Sequence, residues 1–174
     1  MATGERHFQP QEILETLVRF GVDFVIVGGV AVQAHGYLRG TGDLDVIPRP
    51  SSLNLSRLGE ALADLEAEVW RARRPVNVTD PNLLRRAPQV PLVTRYGRLD
   101  LLNIEMTAGA PASYEDLAGR ALVVEISGRD LAVAGVDDLI RMKRAAGREQ
   151  DLLDIAALAR ADEELERDVA EGRR

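Results

Sequence analysis

Apolar and polar positions alternate along this chain in two rhythms, one helical and one strand-like, and the switches between them mark the elements. Ile13, Leu14, Leu17 and Val18 recur at helical spacing, so Gln11 to Phe20 reads as an amphipathic helix that Gly21 stops. Asp23 to Val27 is a short apolar, β-branched run, predicted as a buried strand. Gly28-Gly29 then opens a short helix that ends at Gly36, and Leu44 to Ile47 form a second strand stopped by Pro48. Ser51 and Ser52 can cap a helix running to about Ala67, with Leu55, Leu58, Leu62 and Leu65 on one face.

The following stretch, Arg71 to Pro91, holds four prolines and little periodicity, which predicts a long loop or flap. Pro91–Arg95 and Arg98–Asn103 read as a hairpin around Tyr96-Gly97. Ser113–Ala118 reads as a short helix, and a second strand pair, Ala121–Ile126 and Asp130–Val133, turns at Ser127-Gly128. The end is helical: Val136–Ala146, then Asp151–Ala161, then a charged tail helix to about Glu171. The expected architecture is α+β, a mixed β-sheet flanked by helices with a short C-terminal helical element. The expected organisation is a main domain over residues 1–135 and a helical element over 136–174 packed on it.

Composition narrows the chemistry. The 174 residues are 45% apolar, enough for a core without covalent staples, and there is no cysteine, so disulfides and thiolate metal sites are excluded. No apolar run approaches a membrane span and the N-terminus does not read as a signal peptide, so a cytoplasmic protein with no membrane partner is expected. Net charge is −6, yet the segment from Trp70 to Leu99 carries seven arginines against one acid, Asp80. That segment is either a solvated surface loop or a local face for polyphosphate or RNA.

The informative stretch is Phe24 to Ile47. Asp43 and Asp45 stand two apart on a strand, so both carboxylates leave one face. Such a pair is either a solvated face or a cation site, because like charges this close repel. The apolar strand that runs directly into Gly28-Gly29 favours the second reading. Glycines let a phosphate approach the backbone, the first amides of the helix lack internal partners, and magnesium bridges triphosphate to carboxylate. Lys143 is the only lysine among 21 arginines. It is either a chance survivor or a compact ammonium kept for a phosphate. Asp151 and Asp154 lie on one helical side; Asp151 is either an acid favoured by the helix dipole or a group that orients Lys143 or the incoming acceptor. His35, at the end of its short helix, reads as a contact to backbone carbonyls and not as a metal ligand.

Val27-Gly28-Gly29, thirteen intervening residues, then Asp43-Leu44-Asp45 resembles the nucleotidyltransferase superfamily related to DNA polymerase beta. That resemblance implies the nucleotidyltransferase fold and transfer of a nucleoside monophosphate from a triphosphate to an acceptor hydroxyl, with loss of pyrophosphate. It implies Mg2+ or Mn2+ held by Asp43, Asp45 and a third carboxylate from a later strand, for which Asp100 is the candidate; alone, Asp100 could equally be an exposed edge-strand acid. The run Gly-Gly-x-Ala-x-x-x-His-Gly followed by Arg39-x-Thr41-x-Asp43-x-Asp45 is similar to the abortive-infection (AbiEii-type) branch. So are Ile140–Lys143 and Gly147–Asp151 followed by Asp154-Ile155. That branch includes toxins of type IV toxin–antitoxin systems, some of which act on tRNA ends. It implies Arg39, Thr41, Arg148 and Asp151 beside the nucleotide with Gly28 and Gly29, Lys143 at the phosphates, tRNA or another RNA as acceptor, and a cognate antitoxin as partner. An antibiotic-modifying nucleotidyltransferase and a non-catalytic nucleotide-binding regulator are the alternatives.

Overall fold

The computed structural model describes residues 7–126 and 128–171. Helix α1 (Pro10–Arg19) leads into β1 (Phe24–Val27), α2 (Gly28–Ala34), β2 (Asp43–Pro48), α3 (Ser52–Asp64) and the two-residue strand β3 (Glu68–Val69). A 3-10 turn at Leu84–Arg86 precedes β4 (Gln89–Thr94), which is followed by β5 (Gly97–Leu102), α4 (Tyr114–Gly119), β6 (Leu122–Ile126), β7 (Arg129–Val133), α5 (Val136–Ala146) and α6 (Glu149–Ala170). The seven strands form one mixed sheet in the order β3-β4-β5-β2-β1-β7-β6. β2 pairs antiparallel with β1 and parallel with β5, so the two strands of interest lie side by side at its centre.

Alternation explains why these strands hold. Leu44 and Val46 of β2 and Leu99 and Leu101 of β5 point away from the carboxylates and are buried. α3 covers that face, with Leu55, Leu58, Ala61 and Leu62 in the core, capped by Ser51, whose hydroxyl accepts from the Asn54 amide. The opposite face lies under α5, whose Leu139 and Met142 join the same apolar cluster together with Leu158 of α6.

Three boundaries differ from expectation. α3 stops at Asp64 and not near Ala67, because Glu66 takes a left-handed φ of 51° and turns the chain into β3, which was not anticipated. β4 begins at Gln89, two residues early, and runs through Pro91, whose carbonyl still accepts from the Trp70 amide at 2.9 Å. The C-terminal segment is one continuous helix, α6, where two were expected; no Gly or Pro lies between Asp151 and Ala170 to break it. Of the second hairpin turn, Gly128 takes a φ of +76°, and Ser127 lies outside the described residues. No described helix is long and apolar enough to cross a membrane.

The start of β1 is pinned by a polar knot. The Asn54 side chain accepts from the Asp23 amide at 2.7 Å and donates to the carbonyls of Asp23 and Arg49. The Tyr114 hydroxyl donates to Asp23 Oδ1 at 2.8 Å, and burial together with that bond pushes the phenol pKa up. Tyr114→Phe removes one hydrogen bond and leaves an acceptor that water can reach. A loss of about 1 kcal/mol is expected, read as a fall in melting temperature of roughly 3 °C.

Candidate active site

Asp45 of β2 is paired in register with Asp100 of β5, and Asp43 with Arg98. Paired residues of neighbouring strands share a face, so all three predicted carboxylates stand on one side of the sheet. Val27, the last residue of β1, pairs with Asp45, so the Gly28-Gly29 turn begins beside that carboxylate. The Thr41 hydroxyl donates toward Asp43 Oδ1 at 3.2 Å.

The electrostatics follow from this crowding. Burial, and then the charges of Asp43 and Asp100, push the Asp45 pKa up to about 7. Burial likewise raises Asp100, opposed by the Arg98 guanidinium. Asp100 is 4% exposed; its Oδ2 accepts from Gln89 Nε2 at 2.7 Å, while its Oδ1 is buried without a hydrogen bond. Among the described residues no three carboxylates or imidazoles form a ready-made metal cage. Three carboxylates crowd one face, and burial adds to the cost of charging Asp45 and Asp100 there. An orphaned buried carboxylate oxygen beside two further carboxylates fits a hard divalent cation. The histidine reading agrees, since His35 Nε2 lies 2.8 Å from the Ala134 carbonyl.

The glycines do more than the sequence suggested. A side chain on Gly28 would run into the Asp45 carboxylate, and the residue's φ of +65° is left-handed. A Cβ on Gly29 would lie 2.6 Å from Thr41 Oγ1 and 3.0 Å from an Arg39 nitrogen. The pair makes room for Asp45, Thr41 and Arg39, whatever else approaches its backbone. Gly28→Ala should therefore cost about 2 kcal/mol and displace Asp45, with catalysis falling by roughly 100-fold. Calorimetry and any transfer assay check the two halves.

A second cluster joins the C-terminal helices to the loop before β2. Lys143 of α5 is 5% exposed, with its Nζ 2.7 Å from Asp154 Oδ2 and 3.3 Å from Asp151 Oδ1. Asp154 also takes Arg39, whose Nε lies 2.8 Å from Oδ1, and Gln150. Asp151 binds Arg148 through its Nε at 2.9 Å, its NH2 group and its backbone amide. Burial alone would raise both carboxyls, but these donors outweigh it and hold both below the usual range. Lys143 is thus clamped between two carboxylates of α6. It is a fixed charge, held within electrostatic reach of Asp45.

No protein-family model and no curated sequence matches this chain. Solved structures do. The lincosamide adenylyltransferase LnuA with lincomycin bound aligns with a TM-score of 0.59 at 15% identity, over 88% of this chain and 98% of that one. ANT(2")-Ia in complex with adenylyl-2"-tobramycin aligns at 0.57 and 14% identity, over 94% of both chains. An antigenic nucleotidyltransferase-like protein from Paracoccidioides brasiliensis aligns at 0.55 and 16%, over 85% of this chain and 72% of that one.

The fold is that of the nucleotidyltransferases.

Within this nucleotidyltransferase fold the carboxylate face opens into a cleft of about 250 Å3. Gly28, Asp45, Gln89, Lys143 and Arg148 supply its polar wall, and Leu102, Met106, Leu139, Met142 and Ala146 its apolar one. Met106 is 49% exposed there, an apolar side chain left open at the rim. Arg39, Thr41, Asp43, Asp100 and Asp151 stand behind or beside this cleft and do not line it.

The sequence reading did not find three of these neighbours. Gln89 grips Asp100, but only the β4–β5 register reveals it. Asp154 is the hub of the ion cluster, although sequence alone gave it no role. Arg98 stands beside Asp100. Six of the seven arginines in the arginine-rich segment are exposed, and five of the seven make contacts within the chain. Arg71 and Arg98 lie over the Trp70 ring, Arg95 over Tyr96 and near Asp64, Arg86 beside Asp80, and Arg85 donates to the Pro50 carbonyl.

Proposed function

We propose that this protein transfers a nucleoside monophosphate from a nucleoside triphosphate to a hydroxyl of a small organic acceptor. The observation that carries the reading is the register that sets Asp100 against Asp45, on the face of Asp43 and next to the Gly28-Gly29 turn. Asp43, Asp45 and Asp100 would hold Mg2+ or Mn2+, which when bound neutralises the triphosphate and makes an acceptor hydroxyl easier to deprotonate. The chain's own residues supply position and charge. Arg148 presents a guanidinium at the cleft, and Lys143 holds a positive charge beside it for the phosphates. Gln89 fixes Asp100, and Thr41 fixes Asp43. The acceptor oxygen bonds to the α-phosphorus in line as the bond to pyrophosphate breaks, and the hydroxyl proton leaves to solvent or to a carboxylate.

Two observations favour a small acceptor over the tRNA expected from the abortive-infection resemblance. The cleft has an apolar wall suited to a hydrophobic or sugar face. The adenylyltransferases that bind lincomycin and adenylyl-tobramycin match nearly their whole length, an analogy of fold. Labelled nucleoside triphosphates with Mg2+ should be offered, side by side, total RNA and a panel of hydroxylated small molecules including aminoglycosides and lincosamides. A labelled small product, absent with Asp45→Asn, is expected. Label on RNA alone replaces the acceptor assignment with the toxin-type one and makes an antitoxin partner the next search. No label on any acceptor removes the transfer reading.

A further inference from the structure

Arg98 occupies a position that the transfer reading does not use. Its NH2 group lies 3.6 Å from Asp100 Oδ1, the oxygen that has no hydrogen bond. Its own Nε is buried and equally without a partner. The pair is in Coulombic contact but too far apart to be locked, so each group is free to take a better partner. The guanidinium is not loose, however. It stacks 3.9 Å from the centre of the Trp70 ring, and Trp70 is anchored through its amide to the carbonyl of Pro91, the residue paired with Asp100. Arg71, in a left-handed backbone conformation with φ 56°, brings a second guanidinium over the same ring at 4.2 Å. On β2 the residue paired with Arg98 is Asp43.

We propose that Arg98, held on Trp70, is the resident counter-charge of Asp100 in the cation-free site, and that it yields Asp100 when a divalent cation arrives. This rests on the reading of Asp43, Asp45 and Asp100 as cation ligands. Arg98 and Trp70 are positioning residues: neither touches the reacting atoms. The guanidinium sets a positive charge 3.6 Å from the unbonded oxygen of the third carboxylate before loading. Once displaced it shifts over the indole, where a changed cation–π contact replaces part of the lost attraction. Two consequences follow. The positive charge of Arg98 opposes a second cation beside Asp100, so it weakens metal binding. And Trp70, the only tryptophan of the chain, reports the exchange in its emission.

Mg2+ is titrated at pH 8 into the full chain without nucleotide, with heat and tryptophan emission recorded together. The wild type should bind with a saturable change in emission. Arg98→Met, which keeps an apolar stem against Trp70, should bind Mg2+ roughly fivefold tighter with little change in emission. Arg98→Lys restores a positive charge and should return the affinity toward that of the wild type. Far-UV circular dichroism checks that each variant folds, and the wild-type emission test stands without them. Mg2+ binding with unchanged wild-type emission overturns this inference alone, as does an Arg98→Met protein that binds no tighter. Absence of Mg2+ binding in both proteins overturns it together with the ligand assignment beneath it.

Discussion

Asp45→Asn should stabilise the cation-free protein at pH 8 while reducing nucleotidyl transfer by about 10³-fold or more. The loss follows because a cation ligand contributes several kcal/mol of charge stabilisation in phosphoryl transfer, and an amide cannot supply it. The gain follows from linkage. Asp45 is pushed from 3.8 to about 7 in the folded chain, first by burial and then by Asp43 and Asp100. Between those two values the folded state holds a proton that the unfolded chain has released, so stability falls as pH rises through the window. Below the unfolded value the penalty is absent; above the folded value it is complete. The full shift corresponds to about 4 kcal/mol, and partial solvent access reduces this to roughly 2 kcal/mol. Asparagine carries no charge and escapes the penalty. Its advantage in EDTA should be a melting point about 5 °C higher at pH 8, shrinking steadily toward pH 4. Saturating Mg2+ should reverse the order, because only the aspartate gains from the ion. Equal melting points across this pH range would mean that Asp45 is not under strain.

The second large effect is expected at Asp154→Ala. Asp154 is fully buried and binds both Lys143 and Arg39, two cations that arrive from different parts of the chain. Removing it leaves Lys143 buried with only the longer contact to Asp151. Breaking a buried pair on one side costs about 3 kcal/mol, so the melting temperature should drop by roughly 8 °C. The Asp154 carboxyl is held below its ordinary value, so its contribution is present above the unfolded pKa and is lost as pH falls through the folded one. The difference between wild type and variant should therefore be complete at pH 7 and fade in acid. Thermal melts of both proteins at pH 7 and near pH 3 decide it. Asp154→Asn, which keeps the shape and one acceptor, should lose less.

These two residues show what a sequence can and cannot carry. Asp45 was legible because its constraint is local: a two-residue spacing on a strand, close to a glycine turn. Asp100 was legible only through the family pattern, since nothing in Gly97–Leu102 alone says which strand lies beside it. The α+β class and the mixed sheet followed from runs and breaks of hydrophobicity. The strand β3 did not, because it depends on a left-handed Glu66 that propensity disfavours. Lys143 was singled out by rarity, and its partners Asp151 and Asp154 lie on the next helix; what could not be read is that Arg39, 115 residues before Asp154, shares that carboxylate and completes the clamp. Gly28 carries a further constraint that its own neighbourhood does not announce: the atom that forbids a side chain there is on Asp45, seventeen residues later.

The strand order has a consequence for how the molecule breathes. β2 and β5 sit inside the sheet, each flanked by another strand, whereas the rims are the two-residue β3 and the exposed β6. Opening fluctuations begin at rims and helix ends, where few apolar contacts must be given up. Amide hydrogens beneath Asp43, Asp45 and Asp100 should consequently exchange with solvent only when the whole domain opens, while those of β6 exchange early. A ligand that grips these aspartates would slow exchange wherever it waits on opening of the whole domain, far beyond the cleft, and would leave the early exchange of β6 unchanged.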